Sequence, residues 1–441
     1  MSTLATYWEM MQLAQAAYVD LDSNLNNSII ARLRSPLSPN ESYAFSDTQA
    51  SLLIGVSGFR VVDMSANAND PYGFSATLFQ DNRTGAYTLA IRGTENTTTA
   101  DIAYSIREIG TWGIAAHQTV SLYNYFQRLI TLPGEPVKQL VLEELNEQPA
   151  ASDSRPYVEI LSPTSEQGVV YLALDSYYAN DGIGILANES AAQLTVVGHS
   201  LGGHLGMALS RLFPNWVDSV VTSNAPGFIP TNADPFLQMI DPSIGPFDPM
   251  KIENVYSYNG ADIIAGMHTL YGQRVGVLIE DQTPTLTGNH SITLQARSLA
   301  LHALFEKIDP DFDVGNSRGQ VAFPKIDALI RAGAPDHPST YESTLGSLSK
   351  LFLNEDHDHS GSMACTSADI LPPITTSNPR MESEDIPRVR TIRCAARIPA
   401  RRQRVERLPQ EQAVLEWCAT QGAGERTKSF LRNARTNAGP P

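Results

Sequence analysis

The stretch Leu194-Thr-Val-Val-Gly198-His-Ser200-Leu-Gly202-Gly-His-Leu-Gly-Met-Ala-Leu-Ser210 changes from strand-like to helix-like in its middle. Its first part is apolar and β-branched, as in a buried strand, and its last part has the composition of a helix. The pattern between them is G-x-S-x-G, whose glycines permit a turn too tight for side chains and leave the serine hydroxyl exposed above the sheet. The stretch therefore predicts a nucleophilic serine, Ser200, at the carboxyl end of a strand.

Strand-like and helix-like segments alternate on both sides of this motif. Short β-branched or aromatic runs bounded by turn residues predict strands, and apolar residues at helical spacing predict helices. Such alternation is typical of an α/β fold with a mainly parallel sheet and helices on both faces. The predicted strands are 52–56, 75–79, 87–91, 193–197, 219–222, 255–258 and 275–279, and the predicted helices are 6–18, 119–130, 201–213 and 292–308.

Composition and charge exclude several classes of protein. Of the 441 residues, 42% are hydrophobic and 18% are charged, so we expect a folded chain rather than a disordered one. A net charge of -16 disfavours nucleic acid as a partner. No stretch approaches 18 apolar residues and the N-terminus has no signal-peptide pattern, so we expect no transmembrane segment and no cleavable leader. Both a cytoplasmic location and secretion by a Sec-independent route fit these features.

The distribution of charge predicts a boundary near the C-terminus. Lys and Arg number 18 against 40 Asp and Glu up to residue 375, but 13 against 7 from residue 376 onward. The later part also contains interleaved prolines, which prevent apolar periodicity. We therefore expect a catalytic domain over 1–350 and a low-complexity, Arg- and Pro-rich, mostly disordered extension over 351–441. That extension is either a basic interaction tail or a segment without a selected function.

Three further segments, in the same chain order, complete a resemblance to a known superfamily. Thr88-Leu-Ala-Ile-Arg-Gly-Thr94 resembles a strand that ends in Arg-Gly-Ser/Thr, and Thr222-Ser-Asn-Ala-Pro-Gly227 resembles a Phe-Gly-x-Pro stretch with the Phe replaced. The segment 254–264 reads as a strand followed by Asn-Gly-Ala-Asp. With the serine motif, these segments resemble the class 3 lipases and the bacterial lipase-like phospholipases A1 of the α/β-hydrolase superfamily. The resemblance covers about residues 6–307 and implies an α/β-hydrolase fold.

A serine hydroxyl needs a base, and the base needs an acid that orients it. The chain order of the superfamily places the acid before the histidine. Asp262 follows a predicted strand end and is the expected acid, with Asp281 as the alternative. His290 lies in a loop directly before a predicted helix and is the expected base. The alternatives, of which His268 is the strongest, are His268, His302, His337, His357 and His359.

The resemblance also implies where the oxyanion and the substrate bind. The backbone N–H groups of Leu201 and Thr94, with the Thr94 hydroxyl, are the expected oxyanion donors. The segment 101–114 predicts a short amphipathic helix that is either a lid or a permanently docked helix. The segment 228–249 is too apolar for a solvated loop and forms either a wall of the acyl groove or a satellite core. The expected substrate-binding residues are Ile102, Ile106, Ile109, Phe228 and Phe236.

The resemblance therefore implies hydrolysis of lipid carboxylic esters through an acyl-enzyme, at a membrane or emulsion interface, with phospholipase A1 favoured. A triacylglycerol lipase with the same triad is one alternative, and a non-enzymatic interaction protein that keeps the fold is another. We expect no cofactor and no metal, because no P-loop or dinucleotide fingerprint is present and the His357-Asp358-His359 run lies in a polar linker. The sequence indicates no protein partner.

Overall fold

The computed structural model describes thirteen segments of the chain. These segments contain two β-sheets and the residues of the candidate site. The predicted extension 351–441 lies outside them, so the division of the chain at residue 350 stays a prediction. The described residues are 3–21, 29–34, 43–45, 49–50, 52–56, 58–65, 70–94, 107–163, 165, 168–188, 194–258, 262–279 and 289–308.

The larger sheet has seven strands in the order β1-β2-β3-β7-β8-β9-β10, numbered along the chain. The first two pairs of neighbours are antiparallel and the remaining four pairs are parallel. The prediction of an α/β fold with a mainly parallel sheet is therefore confirmed. The strands are β1 (Phe59–Ser65), β2 (Ala76–Asp81), β3 (Tyr87–Ile91), β7 (Leu194–His199), β8 (Val217–Ser223), β9 (Ile252–Ser257) and β10 (Gln273–Val277).

Helices cover both faces of this sheet, as alternate residues of each strand show. Val196 of β7 packs in a core formed with α3 and α4, whereas Val197 packs in a second core formed with α1 and α6. Side chains of a strand point alternately to opposite faces, so the two cores lie on opposite sides of the sheet. The helices are α1 (Leu4–Ala16), α2 (Ile29–Arg34), α3 (Ala116–Ile130), α4 (Leu201–Leu212), α5 (Pro230–Ile240) and α6 (Ile292–Ile308). Among the described residues, no helix has the length and apolar character needed to cross a bilayer.

One predicted strand is wrong. The run 52–56 forms a π-helical turn, Leu52–Val56, and the first strand of the sheet is the following segment, β1. A run of five apolar residues fits a buried helical turn as well as a strand, and here Leu53, 1% exposed, packs in the core beside α1 and α6. The strands and helices predicted around the serine motif are otherwise present, with ends that differ by up to three residues. The predicted short helix 101–114 lies partly outside the described residues, and its described part contains the π-helical turn Glu108–Trp112.

A second, three-stranded antiparallel sheet lies between α3 and β7 in the sequence and was not predicted. Its strands are β4 (Val137–Leu145), β5 (Tyr157–Leu161) and β6 (Val169–Ala179), in the order β4-β6-β5. Leu142 of β4 lies opposite Leu174 of β6, and both join the core that contains α3. Tyr177 and Tyr178 at the end of β6 are 54% and 71% exposed. Through Leu142 and Leu174, the small sheet packs on the face of the larger sheet that α3 also covers.

Three buried histidines make stability depend on pH. Burial lowers the pKa of His199 and His204 to about 3 and that of His302 to about 4, from 6.5. The unfolded chain binds protons below pH 6.5, but the folded chain does not until these lower values are reached. Each histidine therefore contributes stability that is complete above pH 6.5 and is lost as pH falls toward 3 or 4, at up to about 1.4 kcal/mol per pH unit.

We therefore expect the free energy of unfolding in denaturant to be clearly lower at pH 5 than at pH 7.5. The variant His302→Leu removes one titrating group from the core, where the ring Nδ1 donates to the Ser298 carbonyl at 2.6 Å. Its free energy of unfolding should fall less steeply with acid than that of the wild type. Equal slopes for the two proteins would contradict this prediction.

Candidate active site

Ser200 lies at a sharp turn between the end of β7 and the start of α4. Its backbone has φ 57° and ψ -127°, a conformation that few residues other than glycine adopt. A Cβ added to Gly202 would lie 2.0 Å from the Ile91 carbonyl oxygen, and one added to Gly198 would lie 2.3 Å from the Gly202 carbonyl carbon. Only glycine fits either position. The turn is fixed to β8, because the Ser200 N–H donates to the Ser223 carbonyl at 2.8 Å.

His290 links Ser200 to Asp262 through both nitrogens of its ring. The ring Nδ1 lies 3.0 Å from Asp262 Oδ2 and 3.1 Å from Oδ1, and the ring Nε2 lies 2.8 Å from Ser200 Oγ. A carboxylate only accepts hydrogen bonds, so Nδ1 carries the proton and Nε2 accepts from the serine hydroxyl. The structure thus brings together the three residues that the sequence proposes as acid, base and nucleophile.

The environment of Asp262 keeps its carboxyl group ionised. The side chain is 3% exposed, and its Oδ1 accepts from the backbone N–H groups of Ile264 at 3.0 Å and Ala265 at 3.2 Å. Burial by itself raises the pKa of Asp262. The electrostatic attraction and the hydrogen bond between Asp262 and His290, together with the Ala265 N–H, outweigh burial and hold that pKa below its ordinary value.

The remaining candidates for the base and the acid occupy different positions or lie outside the described segments. The ring Nε2 of His268 donates to the Ile109 carbonyl at 2.7 Å, and His302 is fully buried inside α6. Among the described residues, the histidine that bonds to Ser200 Oγ is therefore His290. Four candidates lie outside the described residues: Asp281, His337, His357 and His359.

Two backbone segments converge on Ser200, and they contain Leu201 and Thr94, whose role as oxyanion donors stays a prediction. Leu201 is the first residue of α4, so its N–H has no acceptor four residues earlier within the helix. On the other side, the end of β3 runs parallel to β7, with Ile91 opposite Gly198. A Cβ added to Gly93 would lie 3.2 Å from the Ser200 Cβ, which shows how close the backbone just before Thr94 passes. Ser200 thus lies between the start of α4 and the segment that follows β3.

The predicted substrate-binding residues have different surroundings. Ile102 and Ile106 lie outside the described residues. Ile109 is 7% exposed within a π-helical turn, Glu108–Trp112. The rings of Phe228 and Phe236 are fully buried, and Phe228 stacks on His204 with the ring centroids 4.1 Å apart. Both rings contact core side chains in this conformation, and the prediction that these residues contact substrate stays untested.

A contact of the serine motif itself was not predicted from the sequence. The ring Nε2 of His199 donates to the His290 carbonyl at 2.5 Å, and its Nδ1 accepts from the Tyr18 hydroxyl at 2.7 Å. The sequence carries no signal for these bonds, because Tyr18 lies two residues after α1 and 181 residues before His199. The contact joins the segment just after α1 to the loop that carries His290.

The chain has little similarity to known proteins. No protein-family model and no curated protein matches it. Among solved structures, the chain is similar to the Lip2 lipase from Yarrowia lipolytica, with 13% sequence identity and a TM-score of 0.29, over 64% of this chain and 81% of that chain. A similarity at this level assigns neither a family nor an activity.

Proposed function

We propose that the protein is a serine hydrolase with an α/β-hydrolase fold that cleaves carboxylic esters of lipids through an acyl-enzyme. One observation carries the proposal: a continuous hydrogen-bond chain from Ser200 through His290 to a buried, ionised Asp262. This arrangement supplies a nucleophile, a base and the group that orients the base. The turn that holds Ser200 adds the first N–H of a helix beside the hydroxyl.

In the acylation step, Ser200 Oγ attacks the ester carbonyl carbon while its proton moves to His290 Nε2. The carboxylate of Asp262 stabilises the imidazolium that forms and keeps the ring oriented. The carbonyl oxygen becomes an oxyanion, for which we assign the N–H groups of Leu201 and Thr94 as donors, with the Thr94 hydroxyl as a third. Collapse of the intermediate breaks the bond to the alcohol oxygen, which takes the proton from His290 Nε2.

In the deacylation step, water takes the place of the alcohol. His290 Nε2 accepts a proton from the water as its oxygen attacks the acyl carbon, and the same donors hold the second oxyanion. The acyl–oxygen bond then breaks, Ser200 Oγ recovers its proton from His290, and the fatty acid is released. The cycle needs no group beyond the residues named and one water molecule per ester.

The finer assignment to phospholipase A1 is supported by sequence motifs alone. The segments 198–205, 224–227 and 289–292 resemble the bacterial phospholipases A1 more than the other class 3 lipases. We infer that the substrate is a phospholipid presented at a membrane surface. The same triad would serve a triacylglycerol lipase, so the substrate must be identified by assay.

The test is fatty-acid release from phosphatidylcholine that carries distinguishable sn-1 and sn-2 chains, beside a triacylglycerol emulsion. We expect preferential release of the sn-1 chain by the wild type and none by Ser200→Ala, because that variant has no nucleophile. Labelling by a fluorophosphonate probe should likewise require Ser200.

Different results would overturn either the substrate or the whole proposal. Release from triacylglycerol alone would make the protein a lipase and overturn the phospholipase assignment. No fatty-acid release from either substrate together with no labelling would overturn the proposed function and favour a non-enzymatic interaction protein. Activity that survives in Ser200→Ala would also overturn the proposed function.

A further inference from the structure

Buried side chains that take no part in the proton transfers form hydrogen bonds to the loop that carries His290. The carbonyl of Asn289, the residue directly before His290, accepts hydrogen bonds from Asn224 Nδ2 at 3.2 Å and from Ser257 Oγ at 2.9 Å. Asn224 and Asn289 are fully buried, and Ser257 is 8% exposed. These bonds fix the peptide group from which the His290 ring projects.

Asn224 is suited to this position by its backbone and by its amide. It has a φ of 47°, in the left-handed region where asparagine is tolerated better than most residues. Its Oδ1 accepts from the Ser257 N–H at 2.9 Å and from Gln295 Nε2 at 3.0 Å. A backbone N–H only donates and the Asn289 carbonyl only accepts, so the orientation of the amide is determined by its partners.

Gln295 extends the network into α6. Its Oε1 accepts from the Ser223 hydroxyl, and its Nε2 donates to Asn224. Gln295 and Ser223 are both fully buried. The network therefore connects the ends of β8 and β9 to the His290 loop and to the helix that follows it. Buried hydrogen-bond networks of this kind rigidify the elements that they join.

The carbonyl of His290 is held as well. His199 Nε2 donates to it, so two successive carbonyls of the loop, those of Asn289 and His290, are both bonded to side chains. The Ser200 and Asp262 contacts of the ring span only 2.8 Å and 3.0 Å. A displacement of the ring by about 1 Å costs on the order of 100-fold in rate, so the loop backbone must be held closely.

We propose that Asn224 is a positioning residue for ester hydrolysis, which acts through the Asn289 carbonyl to hold His290 between Ser200 and Asp262. This inference rests on the proposed function and goes beyond it, since it assigns a role to a residue that contacts no reacting atom. Gln295 and Ser257 support the same amide.

The test compares Asn224→Asp and Asn224→Gly with the control Asn254→Asp, on a soluble short-chain ester. Asn254 is a buried asparagine of β9 whose Nδ2 donates to the Tyr271 carbonyl and whose Oδ1 accepts from the Thr222 hydroxyl, away from the His290 loop. Each variant is first shown to be folded by thermal unfolding. The glycine variant keeps the left-handed backbone and loses only the amide, so it remains informative if the aspartate variant fails to fold.

We expect kcat to fall about 100-fold in both Asn224 variants with KM unchanged, and kcat of Asn254→Asp to stay at the wild-type value. In a His290→Ala background, Asn224→Gly should have no further effect on the residual rate, because its role is exercised through His290. Wild-type kcat in folded Asn224 variants, or an equal loss in Asn254→Asp, would overturn the inference.

A spectroscopic readout separates this inference from the proposed function. The low-field proton resonance of the His290 Nδ1–H bond to Asp262 should be present in the wild type and in Asn254→Asp, and shifted or broadened in the Asn224 variants. An unchanged resonance in folded Asn224 variants would overturn the positioning role. This measurement needs no turnover, so it tests whether Asn224 positions His290 separately from whether the protein hydrolyses esters.

Discussion

The variant Asp262→Asn is expected to lower kcat for ester hydrolysis by about 10⁴-fold while the protein stays folded. Asp262 is the group that fixes the proton on His290 Nδ1, through bonds of 3.0 and 3.1 Å. An amide at this position can donate to Nδ1, which favours the tautomer with the proton on Nε2. A protonated Nε2 cannot accept the proton of Ser200, so the nucleophile is not activated. The measurement is steady-state kinetics with a soluble ester together with the rate of fluorophosphonate labelling.

Asp81→Asn provides the matched control for Asp262→Asn. Asp81 is also a largely buried carboxylate, but it pairs with Arg83 at 2.9 Å and bonds to none of the three residues of the candidate site. We expect this control to lose stability and to keep its kcat. A kcat for folded Asp262→Asn that equals that of the control would show that the carboxylate does not orient His290, and would remove Asp262 from the proposed mechanism.

The second large effect is expected from Gly202→Ala, which should destabilise the fold by about 3 kcal/mol or more. The added methyl group would lie 2.0 Å from the Ile91 carbonyl oxygen and 2.8 Å from the Ile91 carbonyl carbon. These atoms belong to the backbone of β3, so no side-chain rotation relieves the overlap. Separation of α4 from β3 would also move Leu201 away from the proposed oxyanion site. The measurements are urea unfolding and esterase activity on the soluble fraction.

Gly245→Ala is the control for a methyl group added to a glycine. No atom lies within 4 Å of the position that its Cβ would occupy, and its φ is not positive. We expect the free energy of unfolding of this variant to match or slightly exceed that of the wild type. If Gly202→Ala unfolds at the same urea concentration as Gly245→Ala, the close approach of α4 to β3 is not a requirement of the fold.

Local sequence patterns predicted the turn at Ser200 and most elements of the larger sheet. The strand, the turn and the helix around Ser200 each have a pattern that acts over a few residues, and the structure places them at 194–199, 200 and 201–212. The small sheet has charged and polar residues among its apolar ones, as in Val137-Lys-Gln-Leu140, so the sequence pattern that would predict its strands is weak. The turn Leu52–Val56 was missed because tertiary packing decided between two local structures.

In the candidate site too, some residues were predicted from the sequence and others were not. The proximity of Ser200, Asp262 and His290 was expected from chain order and resemblance, and their distances agree with that expectation. The residues that hold the His290 loop had no such signal. Asn224 and Gln295 are 71 residues apart, and a single buried asparagine after a strand has no sequence pattern that distinguishes it from a turn residue.

The packing of α1 against α6 has a consequence for the order in which the protein is made. These helices lie at opposite ends of the described chain, and the Leu4 N–H donates to the Glu306 carboxylate across 302 residues. A chain growing from its N-terminus therefore holds Ser200 long before it holds His290 or the helix that completes the packing of α1. The nucleophile is therefore without its base while residues 201–290 are being translated. Reactivity would thus begin only after the ribosome has translated the chain through Ile308, where α6 ends.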